Sequence, residues 1–171
     1  MGIITKINWI DILAVIIVVR ISYVALQDGL SHEIFPLIGA VLTAAMSIHY
    51  YRDLASFAQN MVSLPIPLLN MLAFLTLVIG LGLIFKLARA LVDALMKVTW
   101  HPLAEKSGGL IFGLLRASVV VSIVFTLMSL TPLSYLQYSI KERSLTGSYF
   151  LKVAPGISSK LAWAFPTINK K

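Results

Sequence analysis

The sequence predicts an all-α fold: a polytopic membrane protein with four transmembrane helices plus amphipathic interfacial helices. Two observations carry that prediction. Of 171 residues, 58% are hydrophobic and only 12% charged, with a mean hydropathy of +0.90. That leaves too little polar surface to cover a soluble globule, and disordered chains are poor in these same apolar side chains. The apolar residues are also gathered into four runs close to the roughly 20 residues that span hydrocarbon. The length fits one domain of ordinary size. Residues 1–130 read as a four-span membrane domain and residues 131–171 as a basic, aromatic, amphipathic tail.

The first span covers about residues 7–23, with Asp11 near its start and Arg20 near its end. A cleaved signal peptide is the rival for this stretch, but Asp11 stands where such a peptide is basic, and no small-x-small cleavage site follows. Gln27 to Glu33 reads as a tight acidic turn, with Ser31 as a cap for the next helix. The second span covers about 34–51 and closes on His49, Tyr50 and Tyr51, residues suited to the interface. Beyond it, Arg52 to Val62 keeps helical spacing, as an interfacial helix or an extension of the span, until Pro65 and Pro67 stop it.

The third span, about 68–85, has no charge. From Lys86 to Val98 the polar residues Lys86, Arg89, Asp93 and Lys97 recur opposite Leu87, Leu91 and Leu95. That pattern is an amphipathic helix, lying on the head groups or extending the third span. The fourth span, about 110–130, contains only Arg116. In the tail, Tyr135, Tyr138, Tyr149, Phe150, Trp163 and Phe165 alternate with lysines and arginines, which fits short helices resting on a membrane surface.

Fourteen Lys and Arg against seven Asp and Glu give a net charge of +7. The basic residues lie between and after the apolar runs, where they act as orientation signals and contacts to anionic head groups of the lipid bilayer. Without a basic run or a recognition module, no nucleic acid partner is expected. The chain has no cysteine, which excludes disulfides and thiol chemistry. Enzyme signatures are missing and the three histidines are scattered, so no enzyme activity, catalytic residue, cofactor or metal is expected. Gly80 and Gly82 lie inside the third span, where close helix packing is the natural reading.

Charges inside apolar runs are costly, by about 2.5–3.5 kcal/mol on insertion scales, and so face a partner, a cavity or the head groups. Four spans place Arg20, Asp28, Glu33, Arg89, Asp93 and Arg116 at one membrane face, and Asp11, Arg52 and Asp53 at the other. Glu33 is thus the expected partner of Arg116, and Arg20, Glu33 and Arg116 form a candidate intramembrane polar cluster. Gly109-x-x-x-Gly113 precedes Arg116 and would let the fourth helix approach a neighbour closely; Gly39 offers the same on the second.

Trp9-x-Asp11, Gly29-x-x-x-Glu33, Gly39 and Tyr50-Tyr51, followed by Gly109-x-x-x-Gly113-x-x-Arg116, together resemble the colicin V production protein (CvpA) family over roughly residues 7–155. The chain departs from that pattern at Arg116-Ala117, where relatives often have Arg-Gly. It also departs at its acidic first turn and at Glu105-Lys106-Ser107, where many carry an Asp-Arg pair. The resemblance implies a multi-pass protein of the bacterial inner membrane, associated with toxin (colicin V) production or export and with the envelope, without enzymatic activity or cofactor. The expected partners are a second copy of the chain or an export or envelope protein. The rival reading is a small oligomeric transporter or channel in which Arg116 and Glu33 line a polar path. Lys and Arg near the spans number five on the Glu33 face (Arg20, Lys86, Arg89, Lys97, Lys106) and four on the other (Lys6, Arg52, Lys141, Arg143). The basic Lys86–Lys97 segment tips the expectation towards a cytoplasmic Glu33 face, with both termini outside.

Overall fold

A computed structural model describes residues 8–95 and 102–132, together with Leu151 and Gly156. Four helices follow one another: α1 (Trp9–Asp28), α2 (Leu30–Gln59), α3 (Ile66–Leu95) and α4 (Pro102–Leu130). All four are long and apolar enough to cross a membrane. The expected 131–171 tail lies almost wholly outside the described residues.

The start of α1 is fixed by a capping box. Asn8 caps the helix and its side chain accepts from the backbone of Trp9 and Asp11, while Asp11 Oδ2 accepts from Asn8 N at 3.0 Å. The charge that interrupts the first apolar run is therefore satisfied by the helix end itself, where the macrodipole also favours an anion. α1 ends five residues beyond the expected boundary of residue 23, at Asp28. The expected turn from Gln27 to Glu33 contracts to one residue, Gly29. Its φ of 81° and ψ of 176° are open to glycine and strained for other residues, and they let α2 start at once.

α2 and α3 are each 30 residues long and α4 is 29. At 1.5 Å per residue such helices are about 45 Å long, well beyond a hydrocarbon core of about 30 Å, so each projects into the head-group region or tilts. The two amphipathic segments resolve as extensions of spans: Arg52–Gln59 continues α2, and Lys86–Leu95 continues α3. Pro36 lies inside α2 and withdraws the donor for the carbonyl of His32, a loss that membrane helices tolerate when neighbours re-satisfy the backbone.

Sequence neighbours are not the main packing partners. α4 packs along both α1 and α2, and α3 packs chiefly on α2. The buried residues are mostly small: Ala14, Ala25, Ala44, Ala45, Ala55, Ala73 and Ala117, with Phe74 and Phe125 as the large fillers. Small side chains suit helices in lipid, where association depends on close approach rather than on escape from water. Ile12, Val15, Ile16, Val19, Leu83, Ile84, Leu87 and Leu91 face outwards, as an acyl-chain solvent requires. At the far end of α2, Tyr51 meets Phe74 of α3 edge-on with ring centroids 6.0 Å apart, and Arg52 Nε donates to Tyr51 Oη at 2.9 Å.

Candidate functional site

The site is built where α1 turns into α2 and α4 lies against both. α2 has no side-chain cap of its own; Ser31 sits inside its first turn rather than capping it. The cap comes from α4. Glu105 accepts from Ser31 N at 3.2 Å and from the Ser31 hydroxyl, so a carboxylate 74 residues away satisfies donors left open at the helix start.

Three glycines bring α4 to this turn. A Cβ on Gly109 would run into the carbonyl oxygen of Ala25 and stand 3.0 Å from Gly29 Cα; one on Gly113 would run into Ala25 Cβ; one on Gly108 would meet Leu30 at 2.9 Å. The Gly109-x-x-x-Gly113 face therefore closes α4 on α1 and on the Gly29 turn, not on α2. Arg116 then reaches α2. Helical side chains lean towards their own N-terminus, so Arg116 points back along α4 towards the end where α2 begins.

There Arg116 Nη1 stands 3.0 Å from Glu33 Oε2, with side chains 16% and 0% exposed respectively. Neither carboxylate oxygen of Glu33 receives an aligned hydrogen bond. The contact is a charge pairing through one nitrogen, not the two-donor grip that a guanidinium can offer. Arg89 of α3 and Asp28 of α1 are near enough for their charges to act on Glu33. Arg20 does not join them: it is exposed on α1 and pairs with none of the described acidic side chains.

Gly39 is buried in α2, and a Cβ there would stand 3.1 Å from Phe85 Cβ, so this glycine admits α3 closely. Gly80 and Gly82 correct the packing expectation, because nothing lies within 4 Å of a Cβ at either. Asn8 and Glu105 have structural roles that the sequence did not assign to them. Asn8 was visible in principle as a capping box with Asp11; Glu105 left no local signal, since its partner is on another helix.

Chemically, the site brings one buried carboxylate to one partly exposed guanidinium at the junction of three helices. Among the described residues no group of three His, Asp or Glu side chains could hold a metal ion. The landmark residues of this junction, Gly29, Glu33, Gly109, Gly113 and Arg116, fall inside residues 10–155, which match the family model described as colicin V production protein. The chain belongs to the colicin V production protein family. No curated protein and no solved structure matches it. As a family member, it is an all-helical membrane protein linked by its family to colicin V production.

Proposed function

We propose that this chain is a non-enzymatic, multi-pass protein of the bacterial inner membrane that assists toxin export and envelope maintenance through helix contacts with a partner protein. The observation that carries this reading is the family match over residues 10–155. The geometry supports it: Arg116 faces Glu33 at 3.0 Å, and Glu33 is enclosed by the chain's own helices. Enclosure within one chain favours a contact role over a polar path between subunits, which needs Glu33 to face a neighbour.

The test is complementation in a colicin V-secreting strain that has lost its own family member. Expression of this chain should restore toxin release, and a cross-linked export or envelope protein should co-purify from those membranes. Unchanged release would overturn the reading. So would a selective ion or solute flux in liposomes that disappears in Arg116→Ala, which would assign the chain to transport instead.

A further inference from the structure

A groove of about 490 Å³ opens between α2, α3 and α4, in the range of ligand-binding clefts, roughly 300–1,000 Å³. Phe35 and Thr43 of α2, Val78 and Gly82 of α3 and Ile123 of α4 line its apolar length. Lys86 and Arg89 are its charged lining residues, and no acidic side chain lines it among the described residues. The groove exists because α3 packs chiefly on α2 and only lightly on α4, and because Gly82 leaves open space where a side chain would stand.

Depth identifies what fits. Ile66 to Phe85 is an uncharged stretch of twenty residues. At the helical rise that is about 30 Å, the thickness of the hydrocarbon core. Lys86 and Arg89 follow immediately and so stand at head-group level, while Gly82 and Val78 lie about one and two turns inside. A ligand matching this groove has an acyl chain below and a negative charge at the surface. Glu33 does not cancel the positive end, because Arg116 already faces it at 3.0 Å. Arg89 acts on Glu33 as well, which leaves the exposed Lys86 as the principal head-group contact.

We infer that the α2–α3–α4 groove is a binding site for one anionic phospholipid, its acyl chain along Val78 and Gly82 and its phosphate at Lys86 and Arg89. This site is separate from the export reading and stands or falls without it. A bound lipid would complete the contact between α3 and α4 that the protein itself leaves open.

The full-length protein, purified in detergent with equal amounts of phosphatidylglycerol and phosphatidylethanolamine, provides the test by native mass spectrometry. The wild type should retain phosphatidylglycerol over phosphatidylethanolamine by at least about fivefold, the worth of one basic residue at a membrane surface. Lys86→Gln should reduce that preference about fivefold. Gly82→Leu, built into open space, should lose the bound lipid of either kind while melting no lower than the lipid-free wild type. Lys86→Gln, at an exposed position, carries the test alone if Gly82→Leu does not fold. Equal retention of the two lipids, or undiminished phosphatidylglycerol in both variants, would overturn the inference. A wild-type dimer that Gly82→Leu converts to monomer would also overturn it, giving the groove to a second copy of the chain.

Discussion

A carboxylate with no exposed surface, packed among membrane helices, must be matched by a cation or take up a proton, because an isolated charge there is far costlier than any hydrogen bond it replaces. Glu33 has its cation in Arg116 at 3.0 Å. The two partners are not equally placed. Arg116 keeps 16% of its side chain exposed and can turn to the head groups, whereas Glu33 has no such exit. Arg116→Met should therefore lower the melting temperature in detergent more than Glu33→Gln does. Loss of one side of a buried pair costs about 3–5 kcal/mol in soluble proteins, but polar contacts in membranes are often nearer 1. Thermal melts of both single variants and the double variant check this; the double should lose less than the sum of the singles, and strict additivity would deny any coupling. The proximity of these two residues was legible in the sequence from connectivity alone, because four spans put both at one face. The manner of contact was not, since the rotamers that give a one-nitrogen approach depend on where α4 sits.

Among the elements, α4 is the organiser, and its position is set by glycine. The face carrying Gly109 and Gly113 has no side chain because the backbone of α1 occupies that space, down to the carbonyl of Ala25 and the Cα of Gly29. A methyl group at Gly109 can be accommodated only by moving a helix, and overpacking of this kind costs about 1–3 kcal/mol. Gly109→Ala should thus melt several degrees below the wild type. Gly80→Ala is the internal comparison: nothing lies within 4 Å of its Cβ, so it should be neutral or gain up to about 1 kcal/mol from helix propensity. Melting curves in one detergent decide it, and equal effects of the two substitutions would mean that the α1–α4 contact is not made through this face. The small-residue motif was readable from the chain, but its neighbour was not. Spacing marks a face for close approach without saying which helix arrives there, and Gly80 and Gly82, expected to pack closely because they lie inside the third span, face open space. For a related reason the sequence left open whether the two amphipathic segments lie in the interface or extend their spans, and the structure extends both. Apolar content marks what lies in hydrocarbon, whereas α2 and α3 continue well past it, and the start of α2 is held by Glu105 from a distant part of the chain.

For the whole molecule, orientation turns on charge outside the hydrocarbon. By sequence the Glu33 face has five Lys and Arg near the spans and the other face four, too even a count for the positive-inside rule to decide by number. The form of the helices adds a reason. α3 continues from Lys86 to Leu95 without a break, and α4 opens at Pro102 with Lys106 in its second turn, so two helices carry basic residues out of the membrane on the Glu33 side. The extension of α2 on the opposite side balances Arg52 with Asp53. Anionic lipid is concentrated in the cytoplasmic leaflet and attracts each such lysine or arginine by about 1 kcal/mol, which favours placing the Glu33 face there and both termini outside. Because the chain contains no cysteine, a single introduced thiol is a unique reporter. Gln59→Cys, exposed at the end of α2, should react with a membrane-impermeant maleimide in intact spheroplasts. Lys106→Cys, exposed on α4, should react only after the membrane is opened. The reverse pattern would place the Glu33–Arg116 junction on the outer side. The basic end of the α2–α3–α4 groove would then meet the outer leaflet, and the lipid-charge argument for this orientation would fail with it.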